Sequence, residues 1–436
     1  MMGREWKWTI RSFCMGLFTM AVVINLTALL LVALRDEFSL TFEMVARLFL
    51  INFTVQMAVD LIAGALSTRV NARILLVAGT IFTFLGFVGF CFLPQIMSNP
   101  YAGLVIAVVL IAMGSGVYEM LTSPLVNAIP SDTKTQDMAF LHSFYAWGAV
   151  ILVISSTVIF FIIGYFTSPI PFTLDNLAAI FYQGLKYWKV LPLLWAIPTF
   201  ALIFLFANVK LPKLIEEEKR QPLKRIILHP YMILMLLAIC LGAMVENIGA
   251  QWVSAFAELG LGIDKFIGDI LAMALFFTAM ALTRSWFGKF GERVNMAKFL
   301  VFCAVLSIVC YLTACLSPSI IISVVALVTI GFSSAMMWPG ALTLNARYFP
   351  LAGAPMFAIM AFAGDGGAGV GPWLAGFFAD HPSDLSRTIF NFFGHTNLTN
   401  DALSVRNAML MSAIFPVVLL IVYLIANKVS KKNRNI

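Results

Sequence analysis

Apolar runs alternate with short polar connections along the whole chain. Twelve can be marked: Trp8–Leu34, Met44–Leu66, Ile74–Phe92, Leu104–Val126, Phe140–Tyr165, Val190–Ala207, Pro230–Phe256, Ile270–Phe287, Phe299–Leu316, Ile320–Trp338, Pro355–Phe378 and Asn407–Ala426. Each is roughly 17–27 residues, the length a helix needs to cross the hydrocarbon core of a bilayer. Lipid offers no partner to a bare N–H or C=O, so every run is predicted to be a helix with its backbone bonds internal. The first run is too long for the apolar part of a cleaved signal and is read as a retained span.

Composition removes the soluble alternative, because 61% of the residues are hydrophobic and only 11% charged. The six cysteines all fall in apolar runs without CxxC spacing, which points to core packing rather than redox or metal chemistry. The net charge of +7 invites a nucleic-acid reading, but the positions of the charges oppose it. With the N-terminus inside, only Arg35, Arg47, Lys186, Lys189, Lys265, Arg387 and Arg406 of the 28 basic residues fall outside. That bias is a topology signal placing both termini in the cytoplasm. The expected location is the inner (cytoplasmic) cell membrane, multi-pass, with no nucleic-acid partner.

The chain repeats itself. TRVN at Thr68–Asn71 returns as ERVN at Glu292–Asn295, LVNA at Leu125–Ala128 as TLNA at Thr343–Ala346, and MAF at Met138–Phe140 again at Met360–Phe362. Three matches in the same order, each offset by about half the chain, indicate duplication of a six-helix unit. The predicted fold is an all-α membrane protein of twelve transmembrane helices in two pseudo-symmetric six-helix bundles. Residues 1–207 form the first bundle, 208–229 a charged cytoplasmic linker and 230–436 the second bundle.

Twelve spans, a six-plus-six repeat and a charged central loop resemble the major facilitator superfamily. GALSTRVNAR, residues 64–73, is similar to that superfamily's loop between helices 2 and 3, and GKFGERVNMAK, residues 288–298, is its second copy. The resemblance implies gating roles for Arg69, Arg73, Glu292 and Arg293. Within the superfamily the chain is most similar to the fucose permease group of sugar:proton symporters. GSGVYEMLTSPLVNA (114–128), GAMVENIGAQWVSAF (242–256), MMWPGALTLNARYFP (336–350) and GDGGAGVGPWLAGFFAD (364–380) carry that likeness. That group has an acid in helix 1, where this chain offers Asn25 and Thr27.

Three acids stand well inside spans: Glu119, Glu246 and Asp365. A mid-membrane charge costs at least about 2.5–3.5 kcal/mol. No lysine or arginine is expected at their depth, so each carboxyl is expected to be neutral when enclosed and ionised when water reaches it. That behaviour suits proton coupling, and one charge crossing 100 mV supplies about 2.3 kcal/mol. The bland reading is a protonated acid bonding a neighbouring helix or, for Asp365, freed backbone amides. Gly116, Glu119, Ser123 and Asn127 share a face of their helix, as do Asn247 and Gln251, with Trp252 beside them. Ser123, Asn127, Asn247, Gln251 and Trp252, with Asn25, His142, Trp147, Trp338 and Asn345, form the predicted substrate set, and Tyr145 and Trp373 add flat walls for sugar rings. Asp60 and Arg284 occupy equivalent repeat positions and are read as helix-end gating residues.

The function expected is secondary active transport of a small polar solute, a sugar or related metabolite, by proton-coupled alternating access. The alternative is a multidrug or metabolite exporter on the same fold, with methionines and phenylalanines lining a greasy pocket. No HExxH, G-x-S-x-G or phosphate loop is present, so an enzyme is not expected. No cofactor or metal is expected beyond a coupling proton or sodium ion, and the chain is expected to work as a monomer.

Overall fold

A computed structural model of the protein describes residues 4–66, 70–129, 134–212, 226–290, 293–349 and 353–434. The chain is all-helical. Its long helices are α1 (Arg4–Leu29), α2 (Phe42–Leu66), α3 (Ala72–Ile96), α4 (Pro100–Ala128), α5 (Lys134–Thr167), α6 (Val190–Asn208), α7 (Pro230–Ala255), α8 (Leu275–Phe290), α9 (Met296–Leu316), α10 (Ile320–Ser334, resuming at Met337–Tyr348), α11 (Gly353–Asp380) and α12 (Asn400–Ser412, resuming at Ile414–Arg434). Eleven spans among the described residues are long and apolar enough to cross a membrane, and α11, glycine-rich and carrying an aspartate, is the twelfth long helix. Helices α1–α6 pack chiefly on one another, as do α7–α12; α2 lies against α11, α5 against α8 and α1 against α7.

The repeated sequences have a local cause. Asn71 accepts the Arg73 N–H at the start of α3, and Asn295 accepts the Lys298 N–H at the start of α9. Each asparagine thus satisfies an orphan donor of a helix beginning at the equivalent point of its repeat. Arg73 ties α3 to the end of α6, donating to the carbonyls of Ala207 and Val209. That is favourable at a helix C-terminus, and both of these bonds stay within the first six helices.

At the end of the bundle away from the 208–229 linker, here the distal end, the halves are bonded together. Asp380, closing α11, accepts the N–H groups of Phe42 (3.2 Å) and Glu43 (2.7 Å), capping α2 from across the interface. Trp373 donates to Glu43 at 2.6 Å, and Arg35 pairs with Asp401 at 2.8 Å. Lys265, expected in an outer loop, is 1% exposed and bonds Ser254 (2.8 Å) and Asp269 (3.3 Å). Arg406, expected likewise, is buried and donates to the Gly260 and Cys315 carbonyls. Each is an interior charge because partners from other segments satisfy it. Tyr182, on the short helix Leu177–Leu185 that follows α5, donates to Glu258 beyond the end of α7.

Towards the linker, α2 and α11 diverge. A methyl added to Gly376 would stand 2.5 Å from Ala46, on Gly369 3.0 Å from Phe53, and on Gly366 3.9 Å from the methyl of Met57. The distal closure therefore depends on small residues and on one borrowed cap. Losing such a cap costs about 1 kcal/mol, near fivefold in an equilibrium. Asp380→Ala should raise the distal-open population about that much, read as a longer distance between spin labels at Asp36 and Leu385; an unchanged distribution would show that the cap does not hold the halves. The α5 turn at Gly164 crosses the Leu177–Leu185 helix so closely that an added methyl would overlap the Ile180 carbonyl. Gly164→Val should therefore lower thermal stability by about 1–3 kcal/mol, and a melting temperature equal to wild type would contradict the crossing.

Candidate functional site

The carboxyls of Asp60 (α2), Glu119 (α4) and Asp365 (α11) converge, with one oxygen of each within 4.8 Å of the others. Asp60 and Asp365 are neighbours within this cluster. A carboxylate has no donor, so two of them can bond each other only through a shared proton. The second oxygen of Asp60, Glu119 and Asp365 in each case lacks a partner. None of the three has an ion pair among the described residues. They meet next to Met57 and Gly366, where α2 and α11 begin to part.

The glycines around Asp365 explain how it gets there. Gly367 faces the backbone of Cys240 and Gly371 that of Met244, both on α7, while Gly369 faces Phe53 and Leu50 on α2. Small residues let α11 approach both halves at once. Asp60, read from the sequence as a helix-end group, lies inside the cluster. Above it on the same stripe of α2 are Gln56 and Asn52, buried and joined at 2.5 Å, with Gln56 Oε1 unpartnered. Their four-residue spacing was the available signal, and the sequence reading passed over it.

Glu246 corrects the expectation that no cation reaches the acids. Arg284 on α8 meets it at 2.7 Å and donates from Nε to the Ala335 carbonyl at 3.0 Å. Pro339 has no N–H to give to residue 335, so this carbonyl is free where α10 is interrupted. The long arginine stem lets a residue near the end of its span reach the interior. Glu246 Oε2 remains unpartnered. Tyr145 on α5 lies between the two acidic groups, near Glu246, Arg284 and Asn25 of α1. His142, one turn earlier, lies within the field of Arg284.

Of the predicted substrate residues, Asn25, Asn247, Gln251 and Trp338 surround this region. Asn25 and Gln251 are buried, and each keeps an unpartnered oxygen. Gln251 donates to the Ile24 carbonyl at 3.4 Å, and half-buried Asn247 donates to Ala243. Trp338 fills the space a side chain at Gly364 would take, beside Asp365. Four others are displaced. Trp147 lies on an exposed apolar stripe with Ile151, Ile154 and Val158, two residues and so over half a turn from Tyr145. Trp252 is fully buried, its N–H taken by the Pro372 carbonyl at 3.2 Å and its ring against Phe42. Trp373 is committed to Glu43 at the distal end. Asn345 is enclosed between the sulfurs of Met232 and Met360. In each case the helix rotates the side chain away from the centre, or a neighbouring helix covers it. Arg293 is exposed. Arg69 and Glu292, and the side chains of Ser123 and Asn127, lie outside what is described.

Comparison with known proteins agrees with this architecture. No curated protein sequence matches the chain significantly. Among solved structures, a bacterial homolog of the human lysosomal transporter Spinster, inward-facing and occupied, superposes with TM-score 0.73 at 13% identity, covering 98% of both chains. The fucose:proton symporter FucP in its outward conformation gives 0.63 at 15%, covering 97% of this chain and 99% of that one. An E. coli FucP variant gives 0.63 at 16% with the same coverage. These likenesses are of fold. The family model of the Major Facilitator Superfamily matches residues 12–372 and 266–435, and the chain belongs to that superfamily.

Proposed function

We propose that the protein is a proton-coupled secondary carrier of a small polar solute, a sugar or related metabolite, working by alternating access. The observation that carries this reading is the Asp60–Glu119–Asp365 cluster. It joins three helices from both halves, has no cation among the described residues and sits where α2 and α11 part. A group of carboxyls sharing protons changes its charge when water reaches it, and rocking of one half against the other would supply that access. One proton moving through 100 mV drives roughly a fifty-fold gradient of a neutral solute.

With both termini in the cytoplasm, the bonded distal end faces outward and the diverging end faces the cytoplasm. The solute would lie between Asn25, Tyr145, Asn247, Gln251 and Trp338. There amide oxygens and carboxyls take hydroxyls while ring faces stack on the aromatics. Arg284 and Glu246 would hold the wall of that space. Sodium is the second reading, favoured by the same three converging oxygens, since hard cations take oxygen ligands.

The test is accumulation of labelled sugars in right-side-out vesicles under an imposed pH or sodium gradient. Uphill uptake driven by pH alone supports the proposal; uptake that follows sodium instead transfers coupling to that ion, and extrusion overturns the direction of transport. Glu119→Gln and Asp365→Asn should each reduce pH-driven accumulation at least tenfold while leaving solute counterflow within about twofold. Equal loss of both activities would make these acids structural. Arg284→Ala should destabilise by about 3 kcal/mol by stranding Glu246, and adding Glu246→Ala should restore much of it. If the double variant melts no higher than the single one, the pair is not coupled.

A further inference from the structure

A groove lies between the first turn of α9 and the last turns of α12, at the linker end of the bundle. Lys298, Val301, Leu424, Asn427 and Lys428 line it, and it encloses about 330 Å³. The two lysines come from different helices and share the groove. Among the described residues neither has an ion pair or a side-chain hydrogen bond, and both are exposed. The distal end is arranged differently: Arg35, Arg47, Lys189 and Lys265 each meet an acid there.

The groove runs into hydrocarbon-facing surface. Leu424 is 46% exposed, and Phe302, Val305 and Ile421 extend the apolar face along the two helices. The groove therefore combines two unmatched cations at the level of the membrane–water boundary, one amide, and an apolar track leading into the bilayer. Lysine stems lie along apolar surface while the ammonium groups stay at the interface, so both charges remain available there.

We propose that this groove holds one anionic phospholipid, with its phosphate between Lys298 and Lys428. Asn427 donates to a glycerol or ester oxygen, and the acyl chains run along Val301 and Leu424. Basic pockets between helices on the cytoplasmic side recognise anionic headgroups by this combination of charge and shape. Free phosphate would satisfy the lysines and leave the apolar wall in water, so the lipid is the occupant that uses the whole groove. The site is remote from the central carboxyls and does not depend on the transport reading.

The experiment measures lipid retention by the full chain in detergent, by native mass spectrometry, with phosphatidylglycerol and phosphatidylcholine offered at equal concentration. Wild type should retain phosphatidylglycerol in preference. K298Q/K428Q should need at least tenfold more of it for equal occupancy, and K298R/K428R should behave as wild type. K431Q/K432Q, which alters the tail and leaves the groove, should bind within about twofold of wild type. Wild-type retention in K298Q/K428Q, equal retention of phosphatidylcholine, or equal loss in K431Q/K432Q would overturn the proposal. Displacement of the lipid by inorganic phosphate at matched concentration would overturn it too, by showing that the chains contribute nothing.

Discussion

A carboxyl group surrounded by hydrocarbon has to share a proton, meet a cation or face water, because the isolated charge is too costly to keep. The helices of this protein are arranged around that constraint. Asp60 and Asp365 lie close enough for a shared proton to relieve both. Glu246 meets Arg284. Glu119 keeps one oxygen unpartnered beside the first pair. Acids with and without a cation in one central region make its charge conditional, which is what coupling an ion to a conformational change requires.

Glycine makes the arrangement possible. α11 makes the most extensive contact between the two halves, lying against α2 while packing on α7 of its own half. Gly367, Gly369, Gly371 and Gly376 remove the side chains that would hold those neighbours away. Without a hydrophobic drive between helices in lipid, close backbone approach and dispersion are what hold them together. The same stretch carries Asp365, so a close crossing and a buried acid belong to one helix. A movement of α11 against α2 therefore acts directly on the contact between Asp60 and Asp365.

The polar groups at the two ends are used differently. At the distal end they pair across the halves, with Asp380 capping α2, Arg35 on Asp401 and Tyr182 on Glu258. At the linker end Arg73 instead serves the carbonyls closing α6, and Lys298 and Lys428 are exposed in one groove. Bonds that cross the halves can be exchanged when one half moves, whereas bonds within a half travel with it.

The sequence by itself determined the helices, their number, the internal repeat and the acids that stand inside spans. These follow from runs of apolar residues, and lipid leaves the backbone one local way to satisfy itself. Even the TRVN and ERVN echoes have a local meaning, because Asn71 and Asn295 cap the helices they precede. The tertiary structure decided partnership. That Arg284 reaches Glu246, that Asp60 joins Glu119 and Asp365, that Trp147 faces outward and that Asn345 is enclosed by methionine sulfurs all depend on how helices far apart in the chain are rotated and crossed. A span carries its own hydropathy and periodicity, but which neighbour covers which face is set by close packing between helices, and no single stretch of residues contains that information.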